Sequence, residues 1–253
     1  MKIKIDINKT VEKNSAEYFE KSKKARKKLE GAKDALQKSR KKLEKIKKEK
    51  PKKEKKQAKQ IKKEWYEKFR WFISSEGFLC IGGRDATTNE IIIKKYTEEN
   101  DVVFHTDIAG SPFFIIKTEG KEPGEKTINE TSQATAGFSR AWKMGIASAD
   151  VFYVKPEQVT KKAKAGEYLQ KGAFMIYGKK NYLKPIIKFA VGISKDKIMA
   201  GPVDAVKKNT EKFMAIEQGN EKASSVAKKI QKKIGGELDN IIRALPAGGC
   251  KVS

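Results

Sequence analysis

The feature that most limits how this chain can fold is an uneven distribution of charge. Residues 1–70 hold 28 Lys or Arg against 11 Asp or Glu, whereas the rest of the chain holds 29 against 21. Within the basic segment the apolar residues are sparse and periodic. Ala25, Leu29, Ala32, Leu36, Leu43 and Ile46 recur mostly at spacings of three, four or seven. That is the narrow seam of a coiled coil. The spacing predicts one long helix from Val11 to about Lys50, capped by Asn14 or Ser15, with Glu17 favouring the first turn and Gly31 weakening it slightly. Pro51 ends it. A second helix is expected over Lys52–Lys68, with Ala58, Ile61, Trp65 and Phe69 turned inward. Residues 1–68 therefore read as a basic helical arm bent near Pro51, and residues 69–253 as the folded domain. Lys2–Ile7 alternates like a short strand.

Composition bounds the partners. A 253-residue chain with 38% apolar residues and 12 Phe can bury a sizeable core. A formal net charge of +25 favours a polyanionic partner. No apolar run is long enough to cross a bilayer. No long amphipathic stretch carries Trp or Phe along one face, so no membrane partner is expected. Met1–Asp6 lacks the apolar core of a signal peptide. Cys80 and Cys250 read as unpaired, which suits a reducing cytoplasm. One histidine and two distant cysteines make no zinc pattern, and no cofactor is implied.

The most informative stretch runs from Trp71 to Pro112. Two apolar runs flank Ser74-Ser75-Glu76-Gly77, which predicts a tight β-hairpin. The second strand ends in Ile81-Gly82-Gly83-Arg84-Asp85-Ala86-Thr87-Thr88-Asn89-Glu90. A short helix is expected from Asn89, capped by Thr88 or Asn89. The strand Val102–Phe104 then delivers His105-Thr106-Asp107-Ile108-Ala109-Gly110-Ser111-Pro112 into a loop, followed by the strand Phe113–Ile116.

Trp-Phe-x-Ser, Ile-Gly-Gly-Arg-Asp-Ala-x-x-Asn-Glu and His-x-Asp-x-x-Gly-Ser-Pro, in this order, resemble the NFACT-R domain of the NFACT proteins. The arm before them and Leu245-Pro246-Ala247-Gly248-Gly249 after them resemble the family too. The resemblance implies a ribosome quality-control factor. Such a protein binds large ribosomal subunits that hold stalled peptidyl-tRNA, and it helps recruit aminoacyl-tRNA for untemplated tailing. The implied partners are rRNA and tRNA. The resemblance also implies a preceding tRNA-engaging half that this sequence does not contain. The chain is then a fragment, or one product of a split gene whose partner is a separate N-terminal half. Where many relatives carry histidine or proline this chain has Ala109, which removes a candidate acid–base group.

Each candidate contact has a plainer alternative. Arg84 can hold a phosphate, stack on a base, or pair with Asp85. Gly82 and Gly83 can admit a close ligand or serve a bulge. Asn89 and Glu90 can touch RNA or cap the helix. Arg70, His105, Asp107 and Ser111 join this set, with Arg140, Lys143 and the basic turn at Lys179-Lys180 as phosphate contacts. A second reading makes Asp85, His105 and Asp107 the polar chemistry of an RNA-processing or RNA-modifying enzyme, with His105 and Asp107 sharing a proton. The third is a charged scaffold for protein partners.

Further along, Thr127-Ile128-Asn129-Glu130 reads as a capping box for a helix to Met144, with Ala134, Ala136 and Gly137 as a close-packing face and Trp142 in the core. Strands follow at Ala149–Val154, Gly172–Tyr177, Ile186–Ile193, Ile198–Pro202 and Phe213–Ile216. Two helices close the chain at Ser224–Ile234 and Leu238–Leu245. The fold class is α+β, with a mainly antiparallel sheet and packed helices behind the arm. If the chain neutralises about six phosphates, its RNA affinity falls roughly a thousandfold between ~50 and ~200 mM salt. Filter binding at several salt concentrations measures this. Affinity indifferent to salt favours the scaffold reading.

Overall fold

The computed structural model describes residues 4–48, 64–162, 169–194 and 196–253. The chain divides into two compact units, Met1–Lys62 and Lys63–Ser253. In the first unit, α1 spans Val11–Lys48. Its seam residues Leu29, Leu36 and Leu43 are each more than half exposed. Residues 4–9 form turns rather than a strand. Asn14 lies inside the helix instead of capping it. Its side chain accepts from the Asp6 backbone N–H at 3.0 Å and donates to the carbonyls of Asp6, Lys9 and Thr10. The expected second helix falls largely outside the described residues. Its last turn is a short 3-10 turn at Trp65–Lys68, after which Phe69 is fully buried.

The second unit holds β1 (Arg70–Ile73), β2 (Leu79–Gly82), α2 (Ala86–Ile91), β3 (Val102–Thr106) and β4 (Phe114–Lys117). These are followed by α3 (Glu125–Gly137), α4 (Arg140–Lys143), β5 (Val151–Val154), β6 (Val159–Thr160), β7 (Met175–Ile176) and β8 (Asn181–Leu183). The remaining elements are β9 (Phe189–Ser194), β10 (Lys197–Pro202), α5 (Val203–Asn209), β11 (Lys212–Glu221), α6 (Ala223–Ile234), α7 (Leu238–Ala244) and β12 (Cys250–Val252). A six-stranded sheet runs β1-β2-β4-β3-β5-β8, and a four-stranded sheet runs β10-β9-β11-β12. Every described pairing is antiparallel. The α+β reading holds. The sequence reading missed β6, β8, α5 and β12.

Side-chain alternation explains the layers. Phe72, Cys80, Phe104, Phe114, Ile116 and Val151 pack on one side, against α3, α4 and the second sheet. Ile81, Val103, Ile115, Phe152 and Val154 turn the other way, under Phe69, Ile92 and Phe113. Both faces of the central strands are therefore buried, unlike the one-wet-face pattern common in antiparallel sheets. Close packing continues at α3. A Cβ on Gly137 would lie 2.3 Å from the Phe189 ring, and Ala134 and Ala136 are fully buried. Trp142 is buried as expected. The expected helix to Met144 is broken instead at Phe138, and Ser139 caps α4. Thr127 makes no capping box. Its N–H donates at 3.0 Å to Glu76, in the β1–β2 turn, so that turn satisfies the helix end. Cys80 and Cys250 are free and buried.

The helix after the Gly-Gly pair starts earlier than expected. Asp85, not Thr88 or Asn89, is the cap, accepting from Thr88 N–H at 2.8 Å. Asn89 is then buried in α2. Its Oδ1 accepts from Phe113 N–H at 3.1 Å, and its Nδ2 donates to the Ser111 carbonyl at 3.3 Å. A Cβ on Gly83 would fall 1.8 Å from that Oδ1, and one on Gly82 would fall 2.3 Å from the Phe114 ring. Both glycines yield their space to the fold's own side chains.

His105 extends β3 rather than entering the loop, and its ring stacks on Phe113 with centroids 4.2 Å apart. Burial pulls its pKa down to about 4, with the backbone of Ser111 and Thr106 opposing the shift. The neutral imidazole is thus the folded form at neutral pH. Two outcomes are expected. Gly83→Ala displaces the Asn89 amide and leaves Phe113 N–H unpaired, costing roughly 1–3 kcal/mol in a denaturant melt. His105 contributes stability that is complete above its unfolded pKa near ~6.5 and is lost as pH falls towards 4, by up to about 3 kcal/mol. His105→Gln flattens that part of the stability–pH curve. An unchanged curve contradicts the assignment.

Candidate nucleic-acid interface

Strand register gathers four strand ends at one place. Arg70 opens β1 opposite Gly82, which closes β2. Gly82 in turn faces Phe114 at the start of β4, and Phe104 of β3 faces the same residue. A cleft of about 470 Å³ opens at this end of the sheet. Arg70, Arg84, Asp85, Asn89, His105 and Ser111 all line it. These are six of the residues singled out from sequence.

The cleft is short of negative charge. Arg84 is not paired with Asp85. Its guanidinium donates to the carbonyls of Lys68 at 3.1 Å, Phe69 at 2.7 Å, and Arg243. Asp85 turns the opposite way, towards the helix end, and Thr88 holds its carboxyl below the usual range. Arg70 lies over the Phe138 ring, 4.1 Å from the centroid, and donates to the Leu245 carbonyl at 3.3 Å. Burial, with Arg84 beside it as the second cause, pulls the Arg70 pKa down to about 9. Among the described residues, neither arginine forms an ion pair with a carboxylate. Ser111 is 2% exposed, and its hydroxyl has no hydrogen-bond partner among the described residues. Desolvated cations and an unpaired hydroxyl are costly unless a ligand completes them.

The other expected contacts lie elsewhere. Asp107 ion-pairs with Lys180 at 3.4 Å and accepts from the Tyr182 hydroxyl at 3.3 Å. It makes no hydrogen bond with His105 among the described residues, because β3 ends between them at Thr106. The proton-sharing pair of the enzymatic reading is not formed. Lys180 lies over the Phe152 ring at 4.2 Å, and Lys179 is exposed beside it. Arg140 stands next to Gly110, whose Cβ position is 3.3 Å from the Arg140 Nε, and Lys143 is exposed.

Sequence reasoning missed the aromatic wall. Phe113 and Phe174 meet edge to face at 5.4 Å, and Lys161 lies over Phe174 at 4.7 Å. Phe174 arrives from a segment some sixty residues away. Its one local signal is Gly172, which has φ +80° and lies against the Ala86 backbone.

Residues 68–178 match the family model of the NFACT protein RNA binding domain. The archaeal Rqc2 homolog aRqcH of Methanocaldococcus jannaschii is 42% identical over 199 residues, covering 76% of this chain and 30% of that protein. Ribosome quality control complex subunit NEMF of Homo sapiens is 44% identical over 125 residues, covering 49% of this chain and 12% of that one. Ribosome quality control complex subunit 2 of Schizosaccharomyces pombe is 38% identical over 131 residues, covering 50% and 12%. The chain thus spans less than a third of the length of these relatives. The cleft, with its Gly-Gly-Arg-Asp and His-Thr-Asp loops, lies inside the matched region, and the chain belongs to the NFACT family through its NFACT-R domain.

Proposed function

We propose that this chain is the RNA-engaging part of a ribosome quality-control factor. In this reading it binds large ribosomal subunits that retain peptidyl-tRNA and supports recruitment of aminoacyl-tRNA for untemplated C-terminal tailing. The observation that carries the reading is the pair Arg70 and Arg84, which line one cleft and form no ion pair with a carboxylate among the described residues. A net charge of +25 supports it, since two-thirds of the surplus lies in residues 1–70. The names of the relatives support the ribosomal setting. The arm contributes sequence-independent attraction to phosphate, and the cleft contributes a shaped contact.

The chain acts in this reading by binding rather than by turnover. Asp85 is committed to a helix end, Asp107 to Lys180 and Tyr182, and the His105 imidazole is neutral. Sedimentation through a sucrose gradient is the test. The chain should travel with large subunits at ~50 mM salt and leave them by ~200 mM. Failure to co-sediment at low salt contradicts the reading.

A further inference from the structure

The cleft carries more information than a basic surface. The lysines of α1 from Lys13 to Lys42 are exposed, where water and counterions satisfy them. Arg70 is not. It is recessed, it uses one of its five N–H donors on Leu245, and Arg84 beside it adds a second positive charge. Ser111 offers a buried hydroxyl that nothing among the described residues engages. Three groups that favour a compact oxyanion therefore line one cavity, and the Asp85 carboxylate at its edge is held by Thr88. The cavity is larger than an oxyanion alone requires. Its 470 Å³ falls in the range of small-molecule sites, and an aromatic wall of His105, Phe113 and Phe174 forms one side.

We propose that this cleft seats a single nucleotide. Its phosphate docks on Arg70, Arg84 and the Ser111 hydroxyl, and its base packs against the aromatic wall. The proposal rests on the RNA-binding reading and sharpens it, because it assigns one unstacked nucleotide to one place instead of a duplex to a charged face. Base–aromatic contact of this kind tolerates different bases, so the seat selects a phosphorylated nucleoside rather than a sequence. The ligand is a nucleotide within a strand or a free mononucleotide, and the two share this chemistry.

Titration of the full-length chain, followed by amide NMR shifts, tests it with four probes: adenosine 5′-monophosphate, adenosine, inorganic phosphate, and a short single-stranded oligoadenylate. The monophosphate should perturb the amides of Gly83–Asp85, Gly110, Ser111 and Phe113 and bind more tightly than adenosine or phosphate. If the oligoadenylate shifts the same amides more tightly, the natural ligand is strand-embedded. If the monophosphate is tighter, it is a free nucleotide. Arg70→Gln should weaken binding by roughly tenfold or more. Ser111→Ala should weaken it several-fold without lowering the melting temperature, because its hydroxyl holds nothing among the described residues of the fold. The proposal is overturned if adenosine or phosphate binds as well as the monophosphate, or if a peptide carboxylate displaces it more effectively. Binding by the folded Ser111→Ala chain equal to that of the parent overturns it too. Nucleotide binding without ribosome co-sedimentation removes the ribosomal reading and leaves the seat. Co-sedimentation without nucleotide binding removes the seat alone.

Discussion

The fold depends on a sheet that is apolar on both faces. Cys80, Phe104, Phe114 and Ile116 bury one side, and Ile81, Val103 and Ile115 bury the other. Polar chemistry is thereby excluded from the body of the central strands and confined to their ends. Antiparallel register then decides which ends meet. Because Arg70 faces Gly82 and Gly82 faces Phe114, the start of β1, the Gly-Gly-Arg-Asp turn and the loop before β4 converge. The cleft is a consequence of that register.

A single side chain fixes the convergence. The Asn89 amide joins Phe113 N–H to the Ser111 carbonyl, so the helix after β2 and the loop before β4 are held to one geometry. Gly83 leaves the room that this amide requires. In the same cleft the Ser111 hydroxyl is buried without a partner among the described residues, and Arg70 is desolvated with the positive charge of Arg84 acting on it. These are unfavourable placements for an isolated chain, and they are favourable for one that receives an anion.

Much of the architecture is legible in the sequence because it follows local rules. The Ser-Ser-Glu-Gly hairpin, the apolar strands, the small-residue face of α3 and the buried Trp142 all obey side-chain periodicity or turn chemistry. The departures have non-local causes. Thr127 and Glu130 look like a capping box, yet the helix end is satisfied by Glu76 from a distant turn. Arg84 and Asp85 are neighbours of opposite charge, yet extended backbone at Asp85 sends the two side chains to different partners. Asn89 reads as a surface cap and becomes a buried clamp because α2 begins three residues earlier, at Ala86. The six cleft residues are recognisable one by one as chemistry-bearing types. That they share a cavity, and that Phe174 closes it, depends on strand pairing between distant segments.

A crystal structure of the chain with a short single-stranded RNA would test most directly whether the missing negative charge is supplied by a ligand. The expected result is electron density for one phosphate within hydrogen-bond distance of the Arg70 guanidinium and Ser111 Oγ, with its base against Phe174. An RNA bound only along other lysines, with Arg70 closed onto a carboxylate of the chain itself, would contradict it.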